Sequence, residues 1–176
     1  MDLRLQEMLD HHEIRQVLAT YCHACDRADE ILMTDCYSGA DSFDDHGLVR
    51  AAGPEYARQM TDLVRLRTDA VSHILGQSLI KVNGDKAVSE TFFLGLMRLK
   101  PDEDGVSRLN QLAGRFVDEL VRVDGAWKIR RRTCVRDTSL TLRVEEDMQA
   151  TYGLAAGTRN ASDPGATLLK LAHHTG

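Results

Sequence analysis

The chain has 176 residues, of which 43% are hydrophobic and 28% charged, and its formal net charge is -5 at pH 7. This length and composition are typical of one globular domain with its own hydrophobic core. The acidic balance argues against a nucleic-acid-binding surface, because phosphate contacts need a concentrated basic stripe and the chain has only the short run Arg130 to Arg132. No apolar run reaches the ~18 residues that a membrane-spanning helix needs.

The N-terminus and the cysteines indicate the compartment. Charged residues interrupt the first 13 positions, so the apolar segment of a signal peptide is missing. We therefore expect a cytoplasmic protein in a reducing environment. Its four cysteines, Cys22, Cys25, Cys36 and Cys134, are interpreted as thiols and not as a disulfide framework.

The first third of the chain is predicted to be mainly helical. Apolar residues recur at helical spacing from Asp2 to Cys25, and a second, short helix is expected from Glu30 to Tyr37. A turn-rich stretch follows, with room for a short strand at Ser42 to His46. The residues Gly53-Pro54-Glu55 then predict the start of a helix that runs to about Arg67, because proline suits a first turn and glutamate the positive end of the helix dipole.

The pattern then changes to that of strands. Four are predicted, at Val71 to Val82, Ala87 to Leu99, Arg108 to Val123 and Ala126 to Val135. Asn83-Gly84-Asp85 and Asp124-Gly125 are hairpin turn signals between them. Helices followed by hairpin-connected strands predict an α+β fold with an antiparallel sheet curling around the helices.

The order of these elements and the motifs at their ends resemble a SnoaL-like member of the nuclear-transport-factor-2-like superfamily. The resemblance covers residues 5 to 140. It rests on the following residues: Ile14-Arg15, Tyr21, Asp26 to Asp29, Asp45-His46-Gly47, Gly53-Pro54, His73 and Asp124 to Ile129. It implies a cone-shaped α+β barrel over residues 1–145, with the N-terminal helices packed in a strongly curved, mostly antiparallel sheet, and a C-terminal extension over residues 146–176.

Within that superfamily the chain looks most similar to cofactor-free dehydratases and lyases, namely bile acid 7α-dehydratase, hexachlorocyclohexane dehydrochlorinase and scytalone dehydratase. The resemblance implies a catalytic pair of Asp26 and His73, with Tyr21 and Arg132 as further catalytic residues. It also implies no cofactor, no metal, and a homodimer or homotrimer formed through the sheet. The match with scytalone dehydratase is partial, because a second pocket histidine is expected there on a later strand, and none lies between Ser89 and Arg136.

An Asp–His pair has a definite chemistry. A carboxylate that accepts the Nδ1–H fixes the imidazole tautomer and leaves Nε2 as a general base. An arginine or a tyrosine hydroxyl can stabilise the charge that develops on an oxygen or a leaving group. Elimination, isomerisation and deformylation all begin with this proton abstraction and need no cofactor.

Each of these residues also has a purely structural interpretation. His73 is a hydrogen-bonded strand residue, Asp26 a solvated helix end and Tyr21 a core residue on the apolar face of its helix. Asp29 is interpreted as the cap of the second helix. Strand alternation predicts that Arg130 and Arg132 share one side of the sheet, and it leaves open which side faces the pocket.

The motif Cys22-His23-Ala24-Cys25 has the spacing of zinc and redox sites. Zinc needs a second ligand pair, and redox chemistry needs the motif at a helix N-terminus, whereas this motif lies near a helix C-terminus. We interpret both cysteines as packing residues. The sequence also lacks a Gly-x-Ser-x-Gly motif and a phosphate-binding glycine loop.

The sequence therefore predicts a cofactor-independent lyase or dehydratase that acts on a hydrophobic aromatic, steroid or polyketide-like molecule. Its pocket is predicted to be lined by six apolar residues: Leu75, Phe92, Leu94, Leu96, Phe116 and Val135. The alternative is a non-catalytic barrel, such as a protein similar to the β subunit of ring-hydroxylating dioxygenases or a ligand-binding module, which would not need the Asp–His pair.

Overall fold

Three helices form one layer of the computed structural model, which describes residues 2–144, 152–166 and 168. Helix α1 spans Leu3–Arg27, α2 spans Glu30–Asp35 and α3 spans Gly53–Arg67. The Oδ1 atom of Asp29 accepts the Leu32 N–H at 3.0 Å, which confirms the predicted cap of α2. Proline in the first turn of α3 agrees with the predicted helix start.

The second layer is a six-stranded sheet of order β2-β1-β6-β5-β4-β3. The strands are β1 (Phe43–Asp45), β2 (Arg50–Ala51), β3 (Thr68–Asn83), β4 (Lys86–Leu99), β5 (Arg108–Val123) and β6 (Ala126–Arg143). All neighbouring pairs are antiparallel except β1 and β6, which are parallel. The predicted α+β class and the mostly antiparallel sheet are confirmed. Within the described residues the sheet is curved but not closed, since β2 and β3 are its two edges.

Irregularities in the ladders bend the long strands around the helices. Register shifts occur between Leu75 and Ser78 on β3 and between Glu119 and Leu120 on β5. Bulges of this kind increase the local twist and bend a strand. The concave face thus packs on α1, whose buried residues Ile14, Leu18 and Tyr21 lie in one core with residues of β5 and β6.

The described part of the C-terminal segment packs on the end of α1. Arg27 donates to the carbonyl of Thr158 at 3.0 Å and pairs with Asp163 at 3.0 Å. Residues 145–151 lie outside the described residues, so the predicted division between a barrel and a C-terminal extension remains a prediction. Among the described helices, none is long and apolar enough to cross a membrane.

Candidate active site

An Asp–His pair joins the end of α1 to β3. The Oδ1 atom of Asp26 lies 2.6 Å from Nδ1 of His73, and its Oδ2 atom accepts the His73 backbone N–H at 3.0 Å. Asp26 is in the last turn of α1, where the helix dipole disfavours a carboxylate. Two N–H donors from one residue offset that unfavourable position. The structure thus brings together the two residues that the resemblance implied.

The geometry of this pair leaves one nitrogen of the imidazole available. With Nδ1–H donated to the carboxylate, the neutral ring carries its lone pair on Nε2. Among the described residues, no group hydrogen-bonds to Nε2 of His73. Both side chains keep 13% of their surface exposed, so the pair is accessible from outside the core.

Two glycines make room for aromatic rings beside His73. Gly95 is paired with His73 across the β3–β4 ladder, and a Cβ there would lie 3.7 Å from the imidazole. A Cβ at Gly114 would come within 2.2 Å of the Val135 carbonyl oxygen and 3.3 Å of the Phe93 ring. The rings of Phe93 and Phe116 therefore lie on this face and stack with centroids 4.2 Å apart.

A second Asp–His pair was not anticipated from the sequence. Nδ1 of His46 lies 2.5 Å from Oδ1 of Asp44, whose other oxygen accepts a hydrogen bond from the hydroxyl of Tyr37. Burial alone would lower the pKa of His46. The charge and hydrogen bond of Asp44, together with a contact with Cys134, outweigh burial and raise this pKa from 6.5 to about 9. His46 is therefore an imidazolium at neutral pH.

Tyr21 lies between the second pair and the core. Its hydroxyl is 3.4 Å from Nε2 of His46 and 3.1 Å from the hydroxyl of Tyr56. Its ring meets that of Phe116 edge to face at 5.7 Å. Burial raises the pKa of Tyr21 well above its usual value, so the phenol stays protonated. Tyr21 is thus both a core residue and a hydrogen-bonding group.

Arg132 is fully buried beside Tyr21. It binds Asp118 through Nε at 2.7 Å and Nη2 at 2.9 Å, and its guanidinium lies 4.1 Å from the rings of both Tyr21 and Phe116. Although burial lowers the pKa of Arg132, Asp118 raises it well above the usual value, so the cation is retained. Its Nη1 is buried and has no hydrogen-bond partner among the described residues.

The prediction that Arg130 and Arg132 share one side of the sheet is wrong. The ladder pairs Leu120 with Ile129 and Glu119 with Arg131, so Arg130 is an extra residue in a bulge. This extra residue breaks the alternation, and Ile129 and Arg132 both become buried. Arg130 is partly exposed and forms an ion pair with Asp41, whereas Arg132 is fully buried.

Four of the six predicted lining residues face the other side of the sheet. Leu75 pairs with Phe93 and lies on the His73 face, as does Phe116. Strand alternation places the neighbours of Phe93 and Gly95 on the opposite face. This excludes three residues of β4 from the lining: Phe92, Leu94 and Leu96. Val135 is excluded as well, because it pairs with Arg115, which pairs with Phe92 on its other side.

Two cavities formed by described residues lie away from the Asp26–His73 pair. One of about 410 Å³ is lined by the middle of α1 and the β5–β6 turn, and one of about 620 Å³ by the start of α1 and the β3–β4 turn. Neither is lined by Asp26 or His73. Beside His73, the space is occupied by the rings of Phe93 and Phe116, whose centroids lie 6.0 and 6.5 Å from that of the imidazole.

The Cys-x-x-C motif does not form a site in the described part of the chain. Cys22 and Cys25 are free, buried thiols, as the packing interpretation expected. Burial raises the pKa of Cys22 to about 12, which disfavours the thiolate that metal binding or redox exchange requires. No group of three or more potential metal ligands occurs among the described residues.

Comparison with known proteins agrees with this architecture. A family model described as a SnoaL-like domain matches residues 6–133. No curated protein matches the chain. A structure from Novosphingobium aromaticivorans, provisionally named scytalone dehydratase, is 17% identical with a TM-score of 0.70 and covers 81% of this chain and 94% of its own.

Two further structures show how varied the functions of this fold are. A hexachlorocyclohexane dehydrochlorinase of type 2 is 20% identical, with a TM-score of 0.68, and the match covers 79% of this chain and 93% of that one. The β subunit of a provisionally named aromatic-ring-hydroxylating dioxygenase from N. aromaticivorans is also 20% identical, with a TM-score of 0.58, and the match covers 79% of this chain and 94% of that one. At these identities the likeness shows the fold, and function has to be argued from the site.

Proposed function

Because the chain belongs to the SnoaL-like family, and because Asp26 binds His73 at 2.6 Å, we propose that it is a cofactor-independent lyase. His73 is the general base and removes a proton from a carbon next to a carbonyl group. The observation that carries this proposal is the Nδ1 contact, since it fixes the tautomer in which Nε2 is the basic nitrogen.

The buried cation supplies the second element of the chemistry. Removing a proton beside a carbonyl places negative charge on the carbonyl oxygen. Nη1 of Arg132 is a buried donor without a partner among the described residues, and the guanidinium lies 4.1 Å from the centroid of the Tyr21 ring. Donors fixed in a water-poor site stabilise such an oxyanion strongly, because they need no reorganisation. We therefore assign oxyanion stabilisation to Arg132 and Tyr21.

The proposed substrate is a hydrophobic molecule with an aromatic, steroid or polyketide-like skeleton. The support is the set of aromatic rings around the two histidines: Tyr21, Tyr37, Tyr56, Phe93 and Phe116. A flat substrate reaches Nε2 of His73 by replacing the stacking of Phe93 on Phe116. Elimination is the proposed outcome, and isomerisation and deformylation share its first step.

We also propose a homodimer or homotrimer joined through the outer face of the sheet. That face carries Phe92, Leu94 and Leu96, and it exposes four further apolar side chains: Ile74, Leu79, Val88 and Val117. Exposed apolar patches of this kind mark association surfaces. Light scattering coupled to gel filtration tests it, and a monomer at all concentrations would contradict it.

The test of the base does not require the natural substrate. Simple aryl and alicyclic ketones are incubated in D₂O with the protein, and exchange at the carbon next to the carbonyl is followed by proton NMR. We expect exchange with the wild-type protein and a fall of ~10²–10⁴-fold in His73→Ala and in Asp26→Asn. Wild-type exchange at the rate of buffer, or undiminished exchange in His73→Ala, would refute the proposal.

A non-catalytic role remains the second candidate, supported by the likeness to a dioxygenase β subunit. In that case the ketone panel shows no exchange in any variant, and the protein co-purifies with a larger partner subunit. The Asp26–His73 pair would then contribute only to stability.

A further inference from the structure

The described part of the C-terminal segment, residues 152–166, contacts the protein where α1 ends and β3 begins. These are the two elements that the Asp26–His73 pair joins. Asp26 lies in the last turn of α1, and His73 lies near the start of β3, which begins at Thr68. The orientation of the imidazole therefore depends on how firmly the end of α1 is held against the start of β3.

One side chain of the segment, Arg159, spans this junction. Its Nε atom donates to the backbone carbonyl of Asp26 at 3.3 Å. Its Nη1 atom donates to the carbonyl of Thr68 at 2.7 Å, and its Nη2 atom donates to the Thr68 hydroxyl at 2.7 Å. The carbonyl of Val64, in the last turn of α3, also accepts from Nη1 at 3.4 Å. The planar guanidinium thus connects the ends of two helices with the first residue of β3.

These contacts satisfy backbone carbonyls at two helix ends. The last carbonyls of a helix have no N–H partner within the helix, and a cation beside them also interacts favourably with the helix dipole. Arg159 binds one such carbonyl in each helix, that of Asp26 in α1 and that of Val64 in α3. Burial and the charge of Arg27 lower the pKa of Arg159, while Asp69 and Asp26 oppose this shift. Arginine keeps its proton in proteins, so a positive charge lies beside the helix end that carries the Asp26 carboxylate.

The turn that carries Arg159 is itself fixed by hydrogen bonds. Oδ2 of Asp163 accepts the Thr158 N–H at 2.9 Å and pairs with Nη1 of Arg27 at 3.0 Å. Gly157 allows the backbone to come close to Arg27, because a Cβ there would lie 2.9 Å from Nη1. The position of Arg159 is therefore set by the fold of the segment as well as by its own contacts.

We propose that Arg159 is a positioning residue of the candidate site, which holds the end of α1 against the start of β3 and thereby keeps Asp26 in register with the His73 imidazole. Arg159 does not touch the substrate. This inference rests on the proposed function, because it gives the C-terminal segment a part in the action of His73 as a base. The SnoaL-like family model matches residues 6–133 and does not include Arg159, so the positioning residue is an addition of this chain to the family domain.

The pair is sensitive to small movements of the helix end. The Oδ1 atom of Asp26 lies 2.6 Å from Nδ1 of His73, and a hydrogen bond weakens steeply when its distance or angle departs from the optimum. Asp26 is in the last turn of α1, and helix ends fray. A contact from outside the helix that fixes the Asp26 backbone should therefore have a large effect on the ring of His73.

The first experiment reads the His73 ring and needs no substrate. Histidine-selective nitrogen-15 NMR distinguishes the two neutral tautomers of an imidazole, and His73→Ala identifies the signals of this ring. We expect the wild-type ring to carry its proton on Nδ1 alone. In Arg159→Met we expect a second population with the proton on Nε2. Unchanged His73 signals in Arg159→Met would overturn the inference.

Arg122→Met is a matched control, because Arg122 fastens the first half of α1 in the same manner. Its Nη2 atom binds Asp10 at 2.5 Å, and its Nη1 atom donates to the Gly125 carbonyl at 3.2 Å. We expect Arg122→Met to lower the melting temperature and to leave the His73 signals as in wild type. A change as large as that in Arg159→Met would mean that the ring responds to any loss of stability, and the positioning role would be excluded.

The second experiment measures α-proton exchange in D₂O with the same ketones. We expect Arg159→Met to fall ~10–10²-fold, since a displacement of about 1 Å in a catalytic group has an effect of this size. Arg122→Met should keep the wild-type rate. Thr68→Val keeps the shape of the side chain and removes one acceptor of Arg159, so it should show a smaller fall and serves if Arg159→Met does not fold.

The positioning role and the proposed function fail in different ways. If the wild-type protein exchanges the α proton and Arg159→Met exchanges it equally fast, the positioning role is refuted and the base is retained. If the wild-type protein shows no exchange, the proposed function is refuted. The NMR signals of His73 then still decide whether Arg159 orients the ring.

Discussion

Asp26 binds His73 at two points, with Oδ1 2.6 Å from Nδ1 and Oδ2 3.0 Å from the backbone nitrogen. The backbone contact fixes the carboxylate against β3, and the side-chain contact fixes the ring. Because both contacts use one carboxylate, the end of α1 and β3 cannot shift relative to each other without changing the orientation of the imidazole. The pair is therefore a rigid unit whose removal should affect activity more than stability.

Replacing Asp26 with asparagine tests the tautomer. The amide oxygen can still accept the backbone N–H of His73, but the amide NH₂ then faces Nδ1 and favours the ring form with its proton on Nε2. We expect α-proton exchange to fall ~10²–10⁴-fold with little change in melting temperature. The control is Asp29→Ala, which should lose about 1 kcal/mol of stability with the α2 cap and keep its activity.

The buried ion pair of Arg132 and Asp118 separates stability from activity. Both side chains are fully buried, so Asp118→Leu alone should cost ~3–5 kcal/mol in urea unfolding, because it leaves an uncompensated cation. The double variant Arg132→Met/Asp118→Leu should regain much of that loss and still be inactive, since Nη1 is gone. An active double variant would exclude Arg132 from oxyanion stabilisation.

Much of the fold was accessible from local patterns. The strand β5 has the predicted bounds Arg108–Val123, because hydrophobic residues and a turn signal at Asp124-Gly125 define it. Asp26 and His73 were found through the order of the motifs, which places them at a helix end and on the first long strand. These features depend on residues that are close to one another in the sequence.

Two features depend on contacts between residues that are far apart in the sequence. They are the side of the sheet that each side chain faces and the position of the Asp44–His46 pair. Phe92 and Phe93 are both apolar, so alternation alone could not tell which one faces His73, and the ladder with Leu75 decides it. Asp44 and His46 occupy positions i and i+2, which share a face of a strand. That spacing was a weak signal, because only the parallel pairing of β1 with β6 brings the pair into the core.

Arg159 should stabilise the packing of the C-terminal segment on the end of α1 and the start of β3. Its guanidinium donates to the carbonyls of Asp26 at 3.3 Å and Thr68 at 2.7 Å, and to the Thr68 hydroxyl at 2.7 Å. We expect Arg159→Met to lower the free energy of unfolding by about 1–3 kcal/mol and to raise hydrogen exchange at residues 152–166. Arg58→Met, which removes an exposed pair with Glu55, should change stability by less than ~1 kcal/mol.

The thiols should react in two classes. Burial raises the pKa of Cys22 and Cys36 to about 12 and that of Cys25 further, whereas Cys134 is partly exposed. With Ellman's reagent at pH 8, we expect one fast thiol, absent in Cys134→Ser, and three that react only on unfolding. Rapid formation of a Cys22–Cys25 disulfide would revive the redox interpretation of the motif.

Stability should fall between pH 6.5 and about 9 because of His46. Its folded pKa is about 9, against 6.5 for the free side chain, so the folded state binds an extra proton in this interval. The contribution is complete below pH 6.5 and is lost as the pH rises through 9, with a size on the order of 3 kcal/mol. The thiols of Cys22 and Cys36 act in the same direction. They ionise above pH ~8.5 in the unfolded chain, whereas burial keeps them protonated in the folded protein, and this difference also lowers stability as the pH rises over the same range.

His46→Gln separates the two effects, because it keeps the thiols and removes the imidazole. Urea unfolding of both proteins at pH 6, 7.5 and 9 gives the difference in free energy at each pH. We expect the advantage of wild type over the variant to be largest at pH 6 and to shrink steadily to pH 9. A constant advantage would mean that His46 is not protonated in the folded protein.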